Sequence, residues 1–330
     1  EAAYSTRRLN GNVTDCMVIR RASDSTTTTI GFDGSGNIDE AAIETFCTGT
    51  TCTVETWKDQ SGNGNDATAD TSAKRPDIYT SGTVVKDNGK VAIQFDGAGN
   101  HFFSDNNLTG TVPMCFVTVA NINTASFAEG LITYMDGSND GYEVRMDTSG
   151  DKIIFAVNTQ DIEKDVVKQS QFLAFANQNS SNQLFSVSGN ATTISNSASI
   201  SVTAPLGVAT RNPYASSTIW NGYIQEAIAF SSDKSSVRTS IESNIGDYFT
   251  GDAVEVYNGS SYADIGFNVF GELDTVSLAA HCGSNDGFVS KIYDQSGNGR
   301  DATQTTASYQ RKIYDATTGV VIYNGKPAMY

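Results

Sequence analysis

The sequence has few charged residues, few prolines and no long apolar run. Only 18% of its 330 residues are Asp, Glu, Lys or Arg, and it has 5 prolines. The longest apolar runs stay well short of the roughly 18 residues that a transmembrane helix needs. The histidines, His101 and His281, are far apart and lack ligand spacing, which argues against a zinc site. Nucleotide-binding glycine motifs and Ser-His-Asp patterns are also missing from any fitting context.

The charges that are present are mainly acidic. Lys and Arg total 21 against 37 Asp and Glu, which gives a formal net charge of −16. Such a surface repels polyanions. We therefore expect neither nucleic acid nor an anionic membrane as a partner.

The remaining residues favour a β protein. Thr and aromatic residues are typical of strands, and Gly, Asn and Asp pairs mark turns between them. Two short helices are predicted at 39–46 and 232–246, each opening with Ser or Asp cap candidates or an acidic first turn. The pattern predicts an all-β, two-sheet sandwich of jelly-roll type. The strand-like segments lie at 16–20, 91–95, 114–120, 142–146, 153–157, 171–175, 183–187 and 223–230.

Five cysteines leave at least one thiol without a partner in the chain. Cys47 and Cys52 flank a Gly/Thr turn, which brings such a pair within disulfide range. The alternative is two unrelated buried thiols. A bridge here favours an oxidising, extracellular location.

The chain repeats part of itself. Ile30-Gly-Phe32, Cys47 and Asp59-Gln-Ser-Gly-Asn-Gly64 recur 235 positions later, the last as Asp294-Gln-Ser-Gly-Asn-Gly299. Residues 1–250 are thus predicted to form one domain, and residues 251–330 the N-terminal part of a second copy. We expect the polypeptide to continue past Tyr330. The alternative is a partial domain with exposed strand edges that a neighbour must cover.

The opening resembles the catalytic domain of fungal family-54 α-L-arabinofuranosidases. The shared features are Ser5-Thr-Arg7, the run at 21–30, the helix into Cys47-x4-Cys52 and the Asp59–Asn65 segment. Residues 220–230 and the polar helix after them resemble a laminin-G or concanavalin-like jelly roll. Repeats with this opening also resemble those of tailed-phage structural proteins.

The enzyme resemblance implies a pair of carboxyl groups, one as nucleophile and one as acid. The implied nucleophile position is Glu143. The alternative is an ordinary exposed strand carboxylate that alternates with Tyr142 and Val144. At the implied acid position, after Leu206-Gly-Val-Ala-Thr210, stand Arg211 and Asn212, which cannot donate a proton as a carboxylic acid does. The cysteine pair expected near 131–136 is also missing. On these grounds we expect the fold without the chemistry, and hence no enzyme.

Two weaker candidates are a sugar-binding loop and a calcium loop. Arg211, Asn212, Tyr214 and Trp220 combine hydrogen-bonding and aromatic groups that suit a sugar; alternatively, Trp220 is core and Tyr214 decorates a loop. Asp59, Asn63 and Asp70 loosely follow calcium-loop spacing. A Gly/Asn turn is the favoured reading there, so no cofactor is expected.

Together these points predict a non-enzymatic structural or adhesive module on a virion surface, such as a phage fibre or capsid appendage. Its expected partners are copies of itself, other virion proteins and cell-surface glycans. The alternatives are a secreted arabinofuranosidase-like hydrolase and a bacterial surface lectin.

Overall fold

The computed structural model describes residues 1–330 except 125–127, 137–139, 159, 212–217, 250, 268–271 and 295–299. The described chain is mostly β with few helices, as predicted. It divides into two compact units, one of residues 1–87 with 91–238 and one of residues 88–90 with 239–330.

The strands of residues 1–238 are numbered in chain order. They are β1 Ala2–Ser5, β2 Asp15–Arg21, β3 Thr27–Gly31, β4 Cys52–Trp57, β5 Ala67–Thr68, β6 Asp77–Thr80, β7 Thr83–Val84, β8 Lys86–Asp87, β9 Lys90–Val91, β10 Ile93–Asp96, β11 Phe102–Thr111, β12 Met114–Ile122, β13 Gly130–Met135, β14 Gly141–Met146, β15 Lys152–Val157, β16 Gln160–Asp165, β17 Phe172–Gln178, β18 Asn182–Val187, β19 Asn190–Ser195, β20 Ser201–Val208 and β21 Asn221–Phe230.

These strands form two antiparallel runs. One run has the order β3-β2-β4-β6-β10-β21-β12-β17-β18-β19, with β1 also on β21. The other has the order β5-β11-β20-β13-β14-β15-β16. Pairing of β4 with β5 joins the two runs. The second run carries the candidate site.

One hydrophobic core serves this unit, and its largest members are fully buried. Trp57, Trp220, Tyr4, Phe95 and Phe102 each have less than 2% of their surface exposed. Every residue of β12 and of β17 is buried. Such strands are covered on both faces, which fits their mainly apolar sequences.

Helix α1, Glu40–Cys47, begins where the sequence predicts. The Asp39 side chain accepts a hydrogen bond from the backbone N of Ala42 at 3.0 Å, which caps the helix. At the other end Cys47 forms a disulfide with Cys52, the first residue of β4. Gly49, at φ +79°, allows the tight turn between them.

The predicted helix at 232–246 is displaced. The structure has a 3₁₀ turn at Ser235–Val237 and then helix α2, Arg238–Phe249. The carboxylate of Asp233 accepts hydrogen bonds from the Asn177 and Asn179 amides and from the backbone N of Ser235. This anchoring to β17 holds Asp233 ahead of the helix and delays its start.

The other unit contains helix α3, Thr275–Cys282, and a separate sheet. Its strands are β22 Asp252–Tyr257, β23 Tyr262–Gly266, β24 Gly287–Ile292, β25 Ala302–Thr303, β26 Arg311–Asp315, β27 Gly319–Val320, β28 Ile322–Tyr323 and β29 Lys326–Pro327. Further 3₁₀ turns span Ser72–Lys74 and Ala307–Tyr309. No helix among the described residues has the length and hydrophobicity that a membrane crossing demands.

Candidate active site

Glu143 lies in β14, whose alternate side chains face opposite ways. Tyr142, Val144 and Met146 point into the core and are at most 1% exposed. Glu143 and Arg145 lie on the other face, yet the Glu143 side chain is only 5% exposed. The sequence suggested an ordinary exposed carboxylate as the alternative reading of Glu143, and the structure buries it instead.

Two arginines compensate the buried charge of Glu143. Arg145 donates from Nε to Oε1 at 2.7 Å, and Arg211 donates from Nε to Oε2 at 3.1 Å. Arg145 also reaches Oδ2 of Asp161 through Nη2 at 3.2 Å. Two cations and two anions therefore form one neutral group. A buried carboxylate is tolerated only when it is paired and hydrogen-bonded in this way.

Strand register places Glu143 in a row of residues that crosses five strands. The row is Gly207, Thr133, Glu143, Ala156 and Asp161, each directly opposite the next. We call it the Glu143 row. Directly paired residues of neighbouring strands project to the same face, so Asp161 and Glu143 share a surface. Arg145 spans the gap between them.

Gly207, in the Glu143 row, is closely packed by its neighbours. A Cβ at this position would lie 2.7 Å from Oγ1 of Thr133 and 3.3 Å from Cε1 of Phe103. A side chain therefore does not fit without displacing its neighbours. The Thr133 hydroxyl donates to the backbone O of Thr210 at 3.0 Å, which fixes its orientation.

An aromatic pair adjoins Gly207. Phe103 lies opposite Gly207 in β11, and the ring of His101 meets it edge-on with centroids 4.9 Å apart. Burial lowers the pKa of His101, which favours a neutral ring. Apolar rings beside a few fixed polar groups are the composition expected of a small-molecule site.

The predicted sugar-binding loop is only partly supported by the structure. Arg211 lies at the site, whereas Asn212 and Tyr214 lie outside the described residues. Trp220 is fully buried, packs against Phe172 at 6.3 Å and donates Nε1 to the backbone O of Asn121. Trp220 therefore has no exposed face on which a sugar could stack, and it is the core residue of the alternative reading.

The side chains that the sequence suggested for a calcium loop make other contacts in the structure. Asp59 accepts from the backbone N of Ala3, Ser61 and Asn65. Asn63 donates to Oγ of Ser61, and Asp70 pairs with Lys74 at 3.0 Å. Within the described part of the chain, no three His, Cys, Asp or Glu side chains come together as a metal site.

Comparison with known proteins finds relatives of the first part of the chain. Residues 1–140 match the family described as "Alpha-L-arabinofuranosidase B, catalytic". The chain is similar to alpha-L-arabinofuranosidase B of Aspergillus kawachii, with 33% identity over 150 residues. A relative in Emericella nidulans is 34% identical over 157 residues. Each match covers 42% of this chain and 28% of the relative, so the chain spans less than a third of their length.

Solved arabinofuranosidases share the fold more widely. A mutant GH54 α-L-arabinofuranosidase soaked with 4-nitrophenyl α-L-arabinofuranoside superposes with a TM-score of 0.59 at 17% identity, covering 81% of this chain and 70% of that one. An arabinofuranosidase bound to arabinofuranosyl-α-1,2-xylobiose gives a TM-score of 0.55 at 17% identity, covering 80% and 69%. At this identity the likeness concerns the fold alone.

These findings correct several predictions. The virion-surface module, its virion partners and its self-association are wrong, because the matching proteins are arabinofuranosidases. The expectation that the chain is no enzyme fails for the same reason. It rested on Arg211 and Asn212 at the implied acid position and on the missing cysteine pair near 131–136, and it gave too little weight to the similarity of the first 140 residues. The resemblance to phage structural proteins gains no support from these relatives.

Sequence reasoning missed three residues of the site. Arg145 stands two residues from Glu143, so strand alternation could have placed both on one face. Thr133 and Asp161 become neighbours of Glu143 only through strand pairing. Nothing in their local sequence signals that contact.

Proposed function

We propose that the chain carries a glycoside hydrolase active site for α-L-arabinofuranosides, with Glu143 as the nucleophilic carboxylate. The observation that carries this proposal is a buried, doubly arginine-paired glutamate on the Glu143 row, in a chain whose first 140 residues match an arabinofuranosidase catalytic family. The family match ends three positions before Glu143, so the role of Glu143 rests on its geometry.

The geometry suits a double displacement. Glu143 forms a bond to the anomeric carbon as the bond to the leaving oxygen breaks, and water then displaces Glu143. Two guanidinium groups fix the direction of its carboxylate before the sugar arrives, which lowers the cost of orienting it. Asp161, the second carboxylate on this surface, is 39% exposed and can accept the proton of the attacking water.

Release of 4-nitrophenol from 4-nitrophenyl α-L-arabinofuranoside tests the proposal. We expect turnover by the wild-type chain and a loss of at least roughly 10³-fold in kcat for Glu143→Gln, since the amide is a poor nucleophile. Glu163→Gln is the matched control, because Glu163 is an exposed carboxylate on β16, two strands away from β14, and pairs with Lys152. Absence of turnover, or a Glu143→Gln protein as active as wild type, would overturn the assignment.

The architecture and location follow as parts of the same proposal. The two antiparallel runs of strands support a jelly-roll sandwich of concanavalin type for residues 1–250. The repeated order of elements supports residues 251–330 as the first part of a second copy. The Cys47–Cys52 bridge supports an oxidising, extracellular setting, where glycans are the accessible substrates.

A further inference from the structure

The Glu143 row continues beyond Gly207. Strand register carries it from β20 into β11, β5, β4, β2 and β3, with one residue of each strand directly opposite the next. Directly paired residues project to the same face, so these side chains share a surface with Glu143. In order they are Phe103, Thr68, Thr56, Val18 and Thr29, which we call the Phe103 row.

The Phe103 row lies on the outer surface of the sheets. Thr29 is exposed, and the other four residues of the row are half-buried. Their neighbours along the strands point the other way and are fully buried in the core: Phe102, Ala67, Trp57 and Ile19. Water therefore reaches a strip of three hydroxyl groups and two apolar side chains, one of them a ring.

The ring of Phe103 is held in place by its neighbours. The His101 ring meets it edge-on with centroids 4.9 Å apart, and Nδ1 of His101 lies 2.8 Å from the backbone O of Gly99. Cε1 of Phe103 lies 3.3 Å from the point that a Cβ of Gly207 would occupy, so the ring leans toward the Glu143 row. A fixed, partly exposed aromatic ring can pack on the apolar face of a sugar at little cost in conformational entropy.

The Phe103 row lies on the side of Glu143 where the sheet extends furthest. Toward Asp161 the surface ends after two strand spacings, about 10 Å, at β16, the last described strand of its run. In the other direction Phe103 lies three spacings from Glu143, about 14 Å, and the row then covers four more, about 19 Å. In a displacement by Glu143 the leaving oxygen departs on the side of the sugar opposite Glu143. With the sugar on the Phe103 side of Glu143, a chain on that oxygen extends along the Phe103 row.

Ion pairs border the Phe103 row. Arg20 and Arg75 both pair with Glu55, at 2.5 and 3.1 Å, and Lys74 pairs with Asp70 at 3.0 Å. Because these charges compensate one another, they give the surface little attraction for a charged polymer. The formal net charge of −16 further disfavours an anionic one. A neutral polysaccharide is the ligand that fits this surface.

We propose that the Phe103 row binds the neutral polysaccharide chain that carries the arabinofuranosyl group, with the Phe103 ring packed on a sugar and the threonine hydroxyls bonded to sugar hydroxyls. The inference rests on the proposed function of Glu143 and names its substrate as a polymer. Phe103 and the threonines are binding residues in this assignment. They act on the affinity for the polymer and leave the chemical step at Glu143 unchanged.

Affinity electrophoresis tests binding without turnover. The Glu143→Gln chain, which leaves the polymer intact, is run through gels that contain arabinoxylan, a neutral polymer, or polygalacturonate, an anionic one. We expect arabinoxylan to retard the chain and polygalacturonate to leave its mobility unchanged. Any other pattern would overturn the inference.

Phe103→Leu separates ring stacking from apolar packing. It should raise the dissociation constant and the KM for arabinoxylan by about 2- to 10-fold, the effect of a lost aromatic contact, with kcat retained. The KM for 4-nitrophenyl α-L-arabinofuranoside should stay nearly the same, since this small donor lacks the chain that the row binds. Phe46→Leu is the matched control, because Phe46 is also half-buried but lies on α1 and packs against the core. Equal effects of the two variants, or an equal rise in KM for both substrates, would contradict the proposal.

Thr56→Val removes one hydroxyl of the row and keeps the shape of the side chain. It should weaken arabinoxylan binding by about 2- to 10-fold, the effect of one lost hydrogen bond. Thr193→Val is its control, because Thr193 is an exposed strand threonine on β19, outside the Phe103 row. Should Phe103→Leu fold poorly, this pair decides, and equal binding by both variants and the wild-type chain would overturn the inference.

The binding and turnover measurements fail separately. If 4-nitrophenyl α-L-arabinofuranoside is turned over while arabinoxylan does not retard the chain, the proposed function stands and the inference about the Phe103 row fails. If arabinoxylan retards the chain and Phe103→Leu weakens that binding, but no arabinofuranoside is turned over, the proposed function fails. The Phe103 row would then be a glycan-binding surface without a catalytic role.

Discussion

The two sequence repeats fold alike locally and differ in what covers them. We call residues 15–91 the first repeat and residues 252–327 the second repeat. In both, a two-stranded hairpin leads to a short helix, a third strand and a 3₁₀ turn, in the same order. Yet Trp57 is fully buried in the first repeat, while Ile292, its counterpart, is 42% exposed in the second. Local sequence therefore decides the elements, and the rest of the chain decides their burial.

The hydrogen bonds of the Asp-Gln-Ser-Gly-Asn-Gly motif make the point in detail. The backbone N of Asp59 donates to Asp66 at 2.9 Å, and the backbone N of Asp294 donates to Asp301 at the same distance. Asp59 also accepts from the backbone N of Ala3, in a strand with no counterpart in the second repeat. The turn is formed by local contacts in both repeats. In the first repeat, Asp59 also binds a residue 56 positions away in the sequence.

Alanine substitution at Trp57 and at its counterpart Ile292 should show the largest difference between the repeats in the free energy of unfolding. Trp57 packs against Tyr4 at 5.8 Å and Phe102 at 6.3 Å. Trp57→Ala should cost about 3–5 kcal/mol in the free energy of unfolding, because it leaves a large cavity. Ile292→Ala should cost less than about 1 kcal/mol, since much of that side chain already contacts water.

Urea unfolding, followed by Trp220 fluorescence, measures the cost of Trp57→Ala. Amide exchange in residues 287–292 measures the cost of Ile292→Ala. Trp57→Phe is the control, which retains a ring and should cost less than the alanine. Equal costs of Trp57→Ala and Ile292→Ala would contradict this prediction, because burial by the rest of the chain would then add nothing to the stability of the first repeat.

The disulfide marks the next difference. Cys47 bonds Cys52 in the first repeat, whereas Cys282 is a free, buried thiol and Gly287 takes the place of the second cysteine. Replacing both Cys47 and Cys52 by Ala should cost about 2 kcal/mol, as expected for a short loop. A Cβ at Gly287 would lie 2.5 Å from Sγ of Cys282, so Gly287→Cys should form the missing bridge.

The bridge formed by Gly287→Cys should raise the free energy of unfolding by less than about 2 kcal/mol. The reason is crowding, because the new Cβ would also lie 3.0 Å from Cβ of Tyr314 and 3.1 Å from Cγ1 of Val256. Thiol titration with and without reductant detects the bridge, and thermal unfolding measures its effect. Gly287→Ser has nearly the same size without the bond and isolates the strain. If the introduced thiol and that of Cys282 both stay titratable after oxidation, the two loops are not equivalent.

Local structure was therefore predictable, and long-range contact was not. The helix at 39–46, the strand at 142–146 and the Cys47–Cys52 turn depend on residues a few positions apart, so pattern reasoning found them. The pairing of Glu143 with Arg211 joins residues 68 positions apart in sequence. Asp161 reaches the site only through the register of β15 with its neighbours. Alternation assigns faces within a strand, but it does not say which strands meet.

The helix caps should show the smallest difference, since they are the most local feature that the repeats share. Asp39 accepts from the backbone N of Ala42 at 3.0 Å, and Asp274 accepts from that of Ser277 at 3.1 Å. Asp39→Ala and Asp274→Ala should each cost about 1 kcal/mol, because each leaves a helix N–H without its acceptor. Asp274 also accepts from the Ser277 hydroxyl, so its loss should cost a few tenths of a kcal/mol more.

Asp39→Ser and Asp274→Ser keep an acceptor oxygen and should retain most of the stability. Amide exchange of α1 and α3 compares the two helices within one protein. A cost several-fold larger in one helix would show that even the caps depend on what covers the repeat, and the division between local folding and long-range burial would not hold.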